Sequence, residues 1–83
     1  MARDTHLPAP LTDLFSGERA VLFQLNLSKS TVNRLLSMGF TPGVEISIMQ
    51  NYGQGPLVVN VRGMRVALGR GEAAEIFVKR EKQ

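Results

Sequence analysis

His6 is the only imidazole in the chain and there is no cysteine, so the usual donors for a ferrous or zinc site are nearly absent. Asp4 stands beside it in sequence, but one imidazole and one carboxylate do not complete a coordination shell. The carboxylates Asp13, Glu18, Glu45, Glu72 and Glu75 are scattered, and none is paired in sequence with a nucleophile and a histidine. Glu72 and Glu75 are spaced as acidic residues of a first helical turn are, which stabilises a helix start and does not make an acid–base dyad. Gly69-Arg-Gly71 lacks the third glycine of a dinucleotide fingerprint, and no Lys-Ser/Thr follows a glycine at P-loop spacing. The expectation is therefore a protein with no catalytic residue, no metal ligand set and no cofactor.

Recognition is the chemistry that remains. Seven of the ten positive residues are arginines, and the formal charge of +3 favours an acidic partner. Arg62, Arg65 and Arg70 together with Tyr52 could form a basic patch with one stacking ring, the minimum for nucleic-acid binding. A single tyrosine is a poor platform for that purpose. Met49 and Tyr52 lie at a hairpin tip, Arg34 and Met38 on a helix, and Arg62 and Arg65 beside the next hairpin. Tyrosine, methionine and arginine are the types enriched in the cores of protein interfaces. The bland alternative is that the arginines are solvated, Met49 closes the core and Tyr52 merely covers its turn.

These residues need a scaffold. Val32, Leu35 and Leu36 fall at i, i+3 and i+4, the spacing of one helical face, and both leucines are expected in the core. Ser28 or Ser30 caps the start. Gly39 marks the end, with Phe40 folding back onto the last turn. Pro42-Gly43 turns the chain into an alternating strand over residues 44–50. Further strands are expected over residues 18–26, apolar on both faces, and over residues 57–62, 66–68 and 76–78. The tip at residues 51–56 holds two glycines and a proline. Gly63 suits the first central position of a type II′ turn. About five short strands with one inserted amphipathic helix describe a mainly β chain closed into a small barrel, since an open meander would expose an edge.

At 83 residues the chain is one domain with a thin core. Residues 1–10 read as a mobile leader, residues 11–79 as the domain and residues 80–83 as a polar tail. No apolar run approaches the roughly 20 residues needed to span a bilayer, and the leader is not a secretory signal, so a cytoplasmic protein without membrane insertion is expected.

Leu35-Leu-Ser-Met-Gly-Phe-Thr-Pro-Gly43, Gly55-Pro-Leu-Val-Val59, Val61-Arg-Gly63, Val66-Ala-Leu68 and Glu72-Ala-Ala-Glu-Ile76, in that order, resemble the FeoA family. The likeness covers residues 11–79. It implies an SH3-like barrel with an added helix, acting as an accessory protein of bacterial ferrous iron uptake. The implied partner is the membrane GTPase transporter of that system, FeoB. The same module follows a helix-turn-helix and a dimerisation domain in metal-dependent repressors, and this sequence has neither.

Overall fold

The computed structural model describes residues 7–81. Nine short elements follow one another: β1 (Ala9–Pro10), a 3-10 turn (Leu11–Asp13), β2 (Arg19–Leu25), α1 (Lys29–Ser37), β3 (Glu45–Gln50), β4 (Leu57–Val61), β5 (Met64–Leu68), α2 (Arg70–Ala73) and β6 (Ile76–Arg80). The strands form one antiparallel sheet in the order β1-β6-β2-β3-β4-β5. Period-two alternation decides which side faces in: Leu57, Val59 and Val61 are buried on β4, Ile46 and Ile48 on β3, and Ile76 and Val78 on β6. With Leu11, Leu14, Leu35 and Phe40 they make a single core, so the sheet curls around one apolar centre.

Six strands stand where about five were expected, and the addition is β1. Ala9 pairs with Val78 and Pro10 with Phe77, so these two residues of the expected leader belong to the sheet. Proline fits there because an edge strand has one side on which no N–H is needed. Arg80, expected in the polar tail, is likewise part of β6.

Ser28 caps α1, its side chain accepting from the Thr31 N–H at 3.4 Å. At the other end the Phe40 N–H bonds to the Leu35 carbonyl and the Gly39 N–H to that of Leu36, both at 3.0 Å. This is a Schellman motif with Gly39 at φ +100°, a conformation that a side chain resists. Phe40 is fully buried against the turn it closes. The helix face differs from the expected one. Leu35 is fully buried, but Leu36 is 38% exposed. Leu35 and Met38, three residues apart, are the side chains that meet the core, and Leu36 stands about 100° further round the helix from Leu35.

Two strand details also depart from expectation. A register shift between Leu22 and Gln24 leaves Phe23 out of the ladder to β6. Its ring is 44% exposed under the Lys79 ammonium, 4.4 Å from the centroid, so β2 is covered on one face only. In the β4–β5 hairpin, Val61 pairs with Met64, which makes Arg62 and Gly63 the central residues. Their φ values of +52° and +80° define a type I′ turn, not II′. Nor does the hydrogen-bonded ladder close: among the described residues β5 pairs with β4 alone and β1 with β6 alone.

Candidate functional site

Leu11, which opens the 3-10 turn, and Leu14, which follows it, are both fully buried. Anchoring them leaves the next residue, Phe15, directed outward and 73% exposed. Facing it is the loop after β3, whose shape is set by Asn51. The Asn51 amide donates to the Leu14 carbonyl at 2.7 Å and to that of Thr12 at 3.2 Å. Its side-chain oxygen accepts from the Gly53 N–H at 3.0 Å and from the Arg70 guanidinium at 2.6 Å. Arg70 also donates to the Gly55 carbonyl at 2.9 Å. A loop with two glycines is thereby fixed at its root while Tyr52 projects, 76% exposed.

Between the two segments lies a half-open cleft of about 330 Å³, lined by residues 12–15 and 51–53. Phe15 and Tyr52 both line it, and Asp13 supplies its one charged side chain. The cleft holds no paired acid and base, so its chemistry is that of contact: two aromatic faces over a small apolar hollow. Phe15 and Asn51 were not singled out in sequence. A third apolar residue directly after two core leucines is surplus to a small core, and that surplus was the available signal.

The six residues expected at a partner surface fall in two places. Tyr52 stands at the cleft, and Met49, 44% exposed, is on the outer face of β3 leading to it. Arg34, Met38, Arg62 and Arg65 lie around α1 and the β4–β5 turn. Arg34 is engaged by the Glu72 carboxylate, and Met38 packs half-buried on the core. The Arg62 stem lies against Gly39, where an added Cβ would meet its Cδ at 3.0 Å, and its guanidinium approaches the Thr41 hydroxyl at 3.5 Å. Arg65 is exposed on β5, opposite Asn60. The basic patch of Arg62, Arg65, Arg70 and Tyr52 does not assemble. Arg70 is committed to Asn51 and Gly55 at the far end of the β4–β5 ladder from Arg62.

Among the described residues no group of three or more His, Asp or Glu side chains is placed to hold a metal ion. His6 and Asp4 lie outside the described residues. Among the described residues, the carboxyl that departs clearly from its ordinary value is that of Glu81. A hydrogen bond with Glu45 raises it above its ordinary value, desolvation and the Glu45 charge add to the rise, and Arg19 opposes it. No helix of the described residues is long and apolar enough to cross a membrane.

The model of the FeoA domain matches residues 9–80. A Methanocaldococcus jannaschii protein provisionally named Fe(2+) transport protein A is 30% identical over 70 residues, 84% of each chain. The crystal structure of an iron uptake regulatory protein, FeoA, superimposes with a TM-score of 0.83 at 28% identity, over 90% of this chain and 100% of that one. The zinc-complexed FeoA of Stenotrophomonas maltophilia, described as a prokaryotic SH3 domain protein, gives 0.71 at 29% identity over 87% of this chain and 94% of that one. The match begins at β1 and ends in β6, so the two residues moved from the leader into the sheet are part of the shared domain. With nearly the whole described chain matched, its six antiparallel strands and inserted helix are an SH3-like fold, and the chain belongs to the FeoA family of ferrous iron transport accessory proteins.

Proposed function

We propose that this protein works in the cytoplasm as a non-enzymatic module that binds and modulates a FeoB-like membrane GTPase, docking on its cytoplasmic domain. The family supplies the transport system, and the observation that carries the contact is the pair of aromatic rings at the cleft. Phe15 and Tyr52 are each about three-quarters exposed, although neither ring is needed by the core. Exposed aromatics on a pinned frame lose little entropy on binding and bury a large area. Met49 extends this face along β3. Arg34, Met38, Arg62 and Arg65 form a second contact face. The module carries no metal in this reading and acts through protein contact.

The test is capture of the purified GTPase domain of the transporter by the full chain. Tyr52→Ala is expected to leave the melting curve intact and to weaken binding by about 2 kcal/mol, roughly thirtyfold in Kd. Wild-type affinity in folded Tyr52→Ala and Phe15→Ala variants would remove the cleft from the interface. A nucleic-acid reading would require steeply salt-dependent binding to an oligonucleotide. The division of its arginines between opposite ends of one hairpin disfavours it.

A further inference from the structure

We propose that the free edge of β5 accepts an extended acidic segment of a partner chain by strand addition, with Arg65 selecting its charge. The register of the β4–β5 hairpin is the starting point. Val61 and Met64 flank a two-residue turn, so they form a hydrogen-bonded pair, as do Val59 with Val66 and Leu57 with Leu68. Arg65 and Ala67 alternate with these, and their N–H and C=O groups point away from β4. Among the described residues no backbone or side-chain group bonds to them. Buried backbone groups are almost always paired, so unpaired ones here face solvent, in keeping with the exposure of both residues. Two donors and two acceptors in a row are what a short added strand requires. The other free edge, β1, is two residues long and ends in Pro10, which removes a donor.

Charge selects the occupant. Arg19, Arg34 and Arg80 each pair with a glutamate, and Arg70 is held by Asn51 and Gly55. Arg62 and Arg65 have no carboxylate partner among the described residues; Arg65 is on β5 itself, whereas Arg62 is in the preceding turn with its guanidinium toward the Thr41 hydroxyl. Arg62 occupies its turn at φ +52°, where asparagine or glycine is the favoured residue, and its stem is laid against Gly39. Its charge is thus directed to the α1–β3 connection, and Arg65 is the arginine left on the β5 edge. A second copy of this chain is a poor occupant, because pairing β5 with itself would set two unpaired Arg65 cations in one short interface. An acidic strand meets the backbone groups and neutralises the Arg65 cation, and Met64, 55% exposed, offers it an apolar contact. Arg65 also belongs to the second contact face proposed above, but this edge is distinct from the Tyr52 cleft, so the proposal holds or fails separately from docking at the cleft.

The probe is a blocked hexapeptide with glutamate alternating with threonine and valine, compared with its lysine counterpart, on the isotopically labelled full chain. The glutamate peptide is expected to slow amide exchange of Arg65 and Ala67 about tenfold in a saturable manner, more weakly above about 0.3 M salt. The lysine peptide is expected to leave both amides unchanged. Arg65→Glu should reverse the preference between the two peptides. Ala67→Pro, which removes a free edge donor, should abolish binding while the core amides stay protected. Equal effects of both peptides, changes confined to Phe15 and Tyr52, or no slowing at millimolar peptide would overturn the proposal. Concentration-dependent protection of these amides without peptide would overturn it as well, by assigning the edge to a second copy.

Discussion

The Arg34 guanidinium on α1 donates to the Glu72 carboxylate on α2, tying together two helices whose contacting residues are 38 apart in sequence. Arg34 is therefore not a bare cation on the helix surface. A partner carboxylate that used it would have to displace Glu72 first. The link also accounts for Glu72, since a carboxylate in the first turn of a helix is already favourable and here serves a second contact.

Arg34→Glu should lower stability by about 0.5–1 kcal/mol, because the pair is partly exposed and its replacement sets two like charges together. Restoring opposite signs with Glu72→Arg in the same chain should recover most of the loss. Urea unfolding of the two single variants and the double variant measures this. A double variant as unstable as the sum of the singles would show that the pair contributes nothing.

Leu35 and Leu36 should respond very differently to truncation. Leu35→Ala empties a fully buried site and is expected to cost about 2–4 kcal/mol. Leu36→Ala should cost less than about 1 kcal/mol, and even Leu36→Asp should leave a folded protein, because the side chain reaches solvent. Thermal melts of the three variants decide it, and an unfolded Leu36→Asp would place that residue back in the core.

That contrast shows where sequence reasoning succeeds and where it stops. Gly39 and Phe40 were legible as a helix end because the backbone need and the apolar contact are local. The alternation of Leu57, Val59 and Val61 was legible because side-chain period alone fixes the inner face. Leu36 was not, since Val32, Leu35 and Leu36 make an acceptable stripe and only the docking angle brings Met38 to the core in place of Leu36. The turn at Gly63 was misplaced by one residue because its centre depends on which residues pair across the hairpin. That Phe15 and Tyr52 line one cleft is a long-range outcome, and it depends on Asn51 bridging two loops that carry no shared pattern.

Acid should affect the Glu45 and Glu81 pair in a definite direction. The Glu81 carboxyl is raised in the folded chain, chiefly by its hydrogen bond with Glu45. The folded state thus holds a proton at pH values where the unfolded chain has released it. Its contribution to stability is fully present below the unfolded value and lost as pH rises through the folded one. Glu45→Gln removes the neighbouring charge, so the difference in Tm between this variant and wild type should grow in the variant's favour from about pH 4 to about pH 7. A constant difference across that range would remove the pair as the cause.

Asn51 should be the most costly single polar residue to truncate. Its amide and carbonyl serve the Thr12, Leu14, Gly53 and Arg70 groups at once, so Asn51→Ala strands two backbone carbonyls and part of a guanidinium. Leaving such groups unpaired costs about 1–3 kcal/mol, and a domain of this size loses about 4–8 °C in Tm per kcal/mol. Asn51→Asp keeps an acceptor for Arg70 and Gly53 but loses the donors to Thr12 and Leu14, so it should fall between wild type and alanine. The effect should also be local. Amide exchange at residues 52–55 should accelerate more than exchange in β4, because the root that fixes the loop is lost while the ladder remains. If the Tyr52 cleft is the docking face, Asn51→Ala should also weaken capture of the transporter's GTPase domain in a chain that still melts cooperatively, since the tyrosine is then no longer held opposite Phe15. Uniform acceleration across all strands would instead mean that Asn51 supports the whole fold and not this loop.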